Sequence, residues 1–318
     1  MKVLGISFGR KNKNCDVLVK HALMKAKEIG AEVKFVNTLD MKIDRCTGCG
    51  ACSAARDRGK QIKCIIKDDY LELENDVLDA DGIILGAPVY SLAPVGQLKN
   101  FIDRFGAAHD RAAAQAEQDK RITQGNVELL DERIFRDKYV AYISVGGAAT
   151  QNWVSLGLPN MSMFGMSILM KTVGQYDAYD MGMTVHPFFD EKLMGNIGDL
   201  GLHLAKSIGK PYEEVEWLGD EGACPVCHNN LITVMNKGRK IECPVCGIEG
   251  ELSIDNDEIK VVFSEAEKKR ARGATFAGLQ EHYEEIEGMK KVAIPKIIEN
   301  KDKLEELMKP YVEFESTY

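Results

Sequence analysis

A doubly wound α/β fold is predicted by three observations. Short apolar runs alternate with amphipathic helical stretches, in the order βαβαβαβαβα, over residues 1–210. The runs are continuously apolar, as in parallel strands buried on both faces. Three distinctive loops, 7–15, 86–92 and 144–152, each follow a strand, so a parallel sheet would carry all three to one edge.

Strand one is expected at Lys2 to Phe8, then an amphipathic helix from Asn14 to Ile29 stopped by Gly30. Strand two is Glu32 to Val36. A cysteine-bearing loop, 46–64, leads through Lys67-Asp68-Asp69, with Asp68 as cap, into a helix ending before Ala80. Strand three, Gly82 to Leu85, runs into Gly86-Ala87-Pro88-Val89-Tyr90-Ser91. Helix three covers Val95 to Phe105, with Leu98, Phe101, Ile102 and Phe105 inward. Residues 107–137 read as a helical insertion with no core of its own. Strand four, Tyr139 to Val145, ends in Gly146-Gly147. A Gly- and Met-rich stretch precedes strand five, near Ile168 to Val173, and helix five covers Glu191 to Ile208. Five such strands suit the 2-1-3-4-5 order of flavodoxin-like folds, which seats a ligand at the carboxyl edge beside strand one.

At 318 residues the chain has room for a main domain plus an appendage, and 45% hydrophobic residues suffice for a sizeable core. A formal charge of −8 argues against nucleic acid as a partner. The apolar stretch Leu156 to Gly174 is interrupted by Pro159, Gly165 and Lys171, so it reads as buried rather than membrane-spanning. With no signal-like N-terminus, a cytoplasmic location is expected. Nine cysteines are many for a reducing compartment, and eight fall into two groups of four with CxxC spacings, which points to metal rather than disulfides.

In GISFGRKNKNC, residues 5–15, an apolar run ends in a turn dense in donors, just before a helix. The first amides of a helix lack partners and its dipole favours negative charge, so a phosphate fits there. The triphosphate pattern GxxxxGK[ST] and the dinucleotide pattern GxGxxG are both absent. Locally, an ordinary turn with Asn caps is an equal alternative; convergence of three loops on one edge favours the phosphate.

These motifs resemble the NADPH-dependent FMN reductase-like flavoproteins. GISFGRKNKNC is similar to their GSxRxxGNT-type phosphate loop, shortened by about one residue in this alignment. GAPVYSLAPVGQLKNFIDR resembles their second loop and following helix, SVGGAATQN their third loop, and RCTGCGAC…KCIIKDDY the cysteine loop of the iron–sulfur flavoprotein branch. The resemblance implies that Ser7, Arg10, Asn12, Asn14 and Cys15 hold the FMN phosphate. It places Pro88, Val89, Tyr90 and Ser91 along the ring and ribityl chain, and Gly146 and Gly147 on the ring's other side. Cys15 stands where the family has Thr or Ser, and Lys13 where it has Gly. The flavin carries the chemistry, so no side-chain acid or base is expected; Tyr90 is the one candidate, and His186 could approach the flavin edge.

Cys46, Cys49 and Cys52 bring three thiolates onto one loop, and Cys64 is the nearby fourth, across a polar stretch expected to loop out. Four soft ligands suit a [4Fe–4S] cluster; zinc, or no metal, is the alternative. Cys224, Cys227, Cys243 and Cys246 form two CPVC knuckles spaced as in a zinc ribbon, with rubredoxin-type iron as the other metal. Hairpins are expected around Lys237-Gly238 and Asp255-Asn256-Asp257, and His228 reads as a bystander.

The expected organisation is a flavodoxin-like FMN domain at 1–210, a four-cysteine zinc-ribbon-like module at 220–263, and a helical segment at 264–318 with breaks near Gly288 and Pro295. The expected function is an oxidoreductase passing electrons from NAD(P)H or a reduced protein donor through FMN to a quinone, aromatic or protein acceptor. The alternative is an FMN/iron–sulfur carrier between proteins. A homo-oligomer, dimer or tetramer, is expected, with no membrane partner.

Overall fold

Parallel strands β1 (Lys2–Ser7), β2 (Glu32–Asn37), β3 (Gly82–Tyr90), β5 (Tyr139–Val145) and β6 (Lys171–Ala178) pair in the order β2-β1-β3-β5-β6. A sixth, two-residue strand, β4 (Ala93–Pro94), folds back antiparallel on the end of β3; without it the order is the expected 2-1-3-4-5. The computed structural model describes residues 1–125, 128–236 and 238–314.

Side chains alternate across each strand, so one strand feeds two cores. Leu4 and Ile6 of β1 pack with Tyr70, Leu73, Phe101 and Phe105, from α3 (Tyr70–Asp79) and α4 (Gly96–Ala108). Val3 packs on the other face with Leu18, Val19 and Leu204, from α1 (Asn14–Glu28) and α7 (Glu191–Ser207). Helices α1 and α7 cross closely: a Cβ on Gly201 would overlap the carbonyl of Ala22.

Several expectations are corrected. The motif GAPVY belongs to β3 itself, because its residues pair with β5 as far as Pro88. The Gly- and Met-rich stretch contains a helix, α6 (Gly157–Met166), and β6 begins at Lys171 and runs on to Ala178. Part of the stretch between Cys52 and Cys64 is helical, α2 (Ala51–Asp57). The 107–137 insertion, including α5 (Arg111–Thr123), does have a core: Ala114, Leu130 and Ile134 join the main hydrophobic cluster.

Antiparallel strands β7 (Thr233–Val234), β8 (Lys240–Glu242), β9 (Glu249–Asp255) and β10 (Glu258–Phe263) form a separate ribbon. Asn256 and Asp257 are left-handed in its second hairpin turn, as short polar residues tolerate. Lys237, assigned to the first turn, lies outside the described residues. The ribbon and α8 (Glu265–Lys269) belong to one compact unit, Met1–Leu279; the residues from Gln280 on form a second. Helix α9 (Phe276–Glu299) runs unbroken through Gly288 and Pro295, since a proline removes one backbone bond while the flanking turns continue. The break falls at Asn300, before α10 (Lys301–Glu313). Among the described residues, no helix is long and apolar enough to cross a membrane.

Candidate flavin site and metal centres

The carboxyl ends of β1, β3 and β5 bring their loops to one rim. Arg10, Lys13, Asn14, Pro88, Val89, Tyr90, Val145 and Gly147 line a cleft of about 260 Å³, closed on one side by Met181, Gly182 and Met183. The 181–183 wall follows β6 and was missed because that strand was expected to stop at Val173.

The donor set suits a phosphate. Lys13 sits at the N-cap of α1 with no side-chain cap, leaving the first helical amides without a side-chain acceptor. Arg10 and Lys13 add two exposed cations at the same end. The left-handed residue of the loop is Asn12 (φ 55°), whereas Lys13 is extended, so the lysine meets no strain. The Asp16 carboxylate is buried and occupied: it accepts from Asn12 N (2.7 Å) and Asn37 Nδ2 (2.7 Å) and faces Lys20 Nζ at 3.6 Å. Apolar walls from Pro88, Val89, Val145 and Met181 complete a place for a flat ring.

Other residues of the motif are turned inward or spoken for. Ser7 is buried; its hydroxyl donates to Cys15 Sγ (3.5 Å) and accepts from Gly9 N (3.3 Å). Burial pushes the Cys15 thiol up to about 12, so it stays protonated. A Cβ on Gly9 would sit 2.5 Å from that of Cys15, so the thiol packs directly beneath the loop. Asn14 Nδ2 donates to the carbonyls of Met181, Gly182 and Val185, fastening the fourth loop to the first. Gly146 packs against Val154, and neither it, Asn12 nor Ser91 lines the cleft. His186 Nδ1 accepts from Phe188 N (3.3 Å) and its ring lies against Phe188, outside the cleft lining. Tyr90 stands exposed on the rim.

Below the first cysteine loop lies a buried clamp. Gly48 and Gly50 take φ 64° and 67°, which lets the chain wind between Cys46, Cys49 and Cys52. Arg104 donates to both carboxylate oxygens of Asp68 (2.5 and 2.9 Å), to the carbonyls of Asp44 and Ile66, and to Cys64 Sγ (3.4 Å). Burial works to raise the Asp68 carboxyl, but the bonds from Arg104 and Asp44 N and the guanidinium charge outweigh it and hold it low. Cys46, Cys49, Cys52 and Cys64 do not converge as ligands of a single ion.

Behind the clamp, Arg104 lies 4.0 Å over the Tyr70 ring, and Tyr70 OH donates to Glu74 Oε1 (2.8 Å). Phe105 O accepts from His109 Nδ1 (2.9 Å), and burial drives that imidazole down to about 4, leaving Nε2 as an acceptor 3.5 Å from Glu74. Burial raises Glu74 from an ordinary 4.5 to about 7. Between those two values the unfolded chain has lost this proton while the folded one keeps it, so the Glu74 contribution falls as pH rises. Glu74→Gln is therefore expected to remove that slope and to be more stable than the parent at pH 8 by about 2–3 kcal/mol. Urea melts at pH 5 and pH 8 check this; parallel losses in both proteins would refute it.

The second cysteine group is assembled. The sulfurs of Cys224, Cys227, Cys243 and Cys246 all lie within 4.8 Å of one another, with Cys224–Cys246 and Cys227–Cys243 at 3.5 Å. Each knuckle is closed by a backbone bond, His228 N to Cys224 O (2.9 Å) and Gly247 N to Cys243 O (2.8 Å). Four soft ligands around one point make a metal-binding site. His228 is not a ligand, but neither is it idle: its ring stacks on Trp217 (3.7 Å, 10°), and its carbonyl accepts from Gln175 of β6, docking the ribbon on the sheet.

The fold and cleft define a flavin-dependent reductase, and the family model for NADPH-dependent FMN reductase matches residues 1–175. The chain belongs to that family. It is 26% identical over 293 residues to a flavone synthase of Aspergillus candidus, covering 90% of this chain and 89% of the other. A solved flavone reductase superposes with a TM-score of 0.82 at 26% identity, covering 100% of this chain and 99% of that one. An iron–sulfur flavoprotein of Methanocaldococcus jannaschii is 41% identical over 105 residues, which is 33% of this chain and 51% of that protein.

Proposed function

We propose that the protein is an FMN-dependent NAD(P)H oxidoreductase that reduces a planar aromatic or quinone acceptor. One observation carries the reading: a single cleft has uncapped helix amides and two cations at one end and an apolar, open rim at the other. Arg10, Lys13 and the first amides of α1 would hold the phosphate; Pro88, Val89 and Val145 would hold the ring; Tyr90 and Met183, both exposed, would receive a flat partner above it. Bound FMN would supply two-electron acceptance and hydride delivery. In balance, NAD(P)H, a proton and the acceptor give NAD(P)⁺ and the acceptor bearing two more hydrogens. The likeness to a flavone reductase along the whole chain supports an aromatic acceptor.

In the same reading Cys46, Cys49, Cys52 and Cys64 hold a [4Fe–4S] cluster, supported by the iron–sulfur flavoprotein relatives, and the ribbon holds zinc or a rubredoxin-type iron. A second reading, an electron carrier between proteins, is favoured by the exposure of the Cys49 end of that loop. Turnover of NAD(P)H with flavones or quinones and no protein partner decides between them; reduction solely by ferredoxin-like donors would overturn the enzyme reading. Arg10→Ala is expected to weaken FMN binding by about 10- to 100-fold, the loss of a charge-assisted contact. Titration of apoprotein by flavin fluorescence reads this, and unchanged affinity would remove Arg10 from the phosphate site.

A further inference from the structure

A second hollow lies where the ribbon meets the sheet, and it shares no lining residue with the flavin cleft. Strand β6 and helix α6 supply Lys171, Thr172 and Met166 on one side; the two cysteine knuckles supply Val226, His228 and Val245 on the other. Arg272 completes the frame from the segment after α8. Its backbone N donates to Cys246 O (3.0 Å), and a Cβ on Gly273 (φ 71°) would lie 2.5 Å from that of Met166. The segment is thus wedged between a knuckle and α6. The hollow measures about 120 Å³, several times the roughly 10–15 Å³ that one water needs, and less than half the cleft of about 260 Å³.

Its charge is one-sided. Lys171 and Arg272 line it, and no carboxylate does. Among the described residues, neither cation makes an ion pair. Lys171 is half-buried. Burial lowers its ammonium, and the charge of Glu213 does not make good the loss. Arg272 lies along Gly247, where a Cβ would meet Nε at 3.0 Å. Its side chain makes long bonds, Nε to Val245 O and Nη2 to Pro244 O, both 3.4 Å. A cation taken out of water without a counter-charge costs stability that an anionic guest would restore.

We propose that this hollow binds a small aromatic carboxylate, one ring bearing one acid group, between sheet and ribbon. Arg272 offers a planar fork that matches a carboxylate, and Lys171 a point charge. Met166, Val226 and Val245 give apolar walls beside the stacked rings of Trp217 and His228, which a ring fills and a bare inorganic anion leaves empty. Bound there, the guest touches the sheet and both knuckles at once, so it holds the ribbon in place. The site does not depend on the reaction proposed above.

The test is calorimetric titration of the full-length protein, loaded with flavin and metal, with sodium benzoate. One benzoate per chain is expected, with a Kd below about 1 mM and the flavin spectrum unchanged. Lys171→Gln and Arg272→Gln should each weaken binding at least tenfold, the loss of a charge-assisted bond, with flavin and metal contents at the parent's level. Benzamide, the same shape without the charge, should bind at least tenfold more weakly, and so should inorganic phosphate. Benzoate should also slow transfer of the ribbon's metal to a chelating dye about threefold or more in the parent, and not in Lys171→Gln. No binding by a protein that retains its flavin would overturn this site and leave the reductase reading standing. Equal affinity for benzamide or phosphate, or affinity indifferent to both substitutions, would overturn it too. So would binding that shifts the flavin bands, which would put benzoate in the cleft instead.

Discussion

Replacing Cys243 with Ser is expected to unfold the ribbon while leaving the flavin cleft intact. The module has strands of only two and three residues at β7 and β8, and its core holds little beyond Ile241, Val245, Ile248 and Phe263. An assembly so small buries too little apolar surface to be stable alone. Binding of one ion by four thiolates supplies on the order of 10 kcal/mol, which here is folding energy. Cys243 is fully buried among its three partners, so the variant loses both a ligand and the centre of the core. Metal analysis should show the loss of one ion per chain with any iron of the first cysteine loop retained, and protease should cut within residues 220–263. FMN content should be unchanged, because the cleft draws on the loops after β1, β3, β5 and β6. Retained protease resistance in a metal-free variant would show that packing alone holds the ribbon.

The second large effect concerns the clamp under the first cysteine loop. Asp68→Ala would strand the Arg104 guanidinium, whose side chain is 1% exposed, without its counter-charge. Breaking a buried pair from one side costs about 3–5 kcal/mol, a large part of the 5–15 kcal/mol that holds a typical domain together. Asp68 also accepts from Asp44 N, and Arg104 ties down the carbonyls of Asp44 and Ile66, so the pair closes both ends of the 46–64 loop. The variant is therefore expected to expose this loop first, with rapid amide exchange at 44–66 and loss of any iron held there. Because the pair holds the Asp68 carboxyl low, its stabilisation is present above the ordinary carboxylate range and fades as acid protonates it. The parent should therefore approach the variant's stability at low pH. Equal denaturation midpoints at pH 7 would remove the clamp from the account.

Much of this molecule is written in local spacing. The CPVC knuckles specify a four-sulfur site because each turn is closed by backbone bonds within its own few residues. Continuous apolar runs at β1, β3 and β5 specify a buried parallel sheet, and their order specifies which edge carries the loops. Where a boundary depended on neighbours, local reading fell short. The end of β6 is drawn out to Ala178 by pairing with β5, and the 181–183 wall of the cleft was lost with it. Helix α6 was hidden because Gly157 and Gly165, poor helix formers, are there for close approach to Ser144 and Tyr142.

Residue order by itself determined the fold class, the edge where the loops meet and the four-cysteine ribbon, because each follows from periodicity or from contacts a few residues apart. Only the tertiary structure decided which polar groups of the first loop face the cleft. Ser7 turns into the core, Cys15 lies buried at the floor of the cleft, Asn14 reaches across to the carbonyls of the 181–185 segment, and Arg10 and Lys13 are left at the opening. The physical reason is that spacing sets where the backbone runs, whereas the direction of a side chain is settled by what packs against it from elsewhere in the chain.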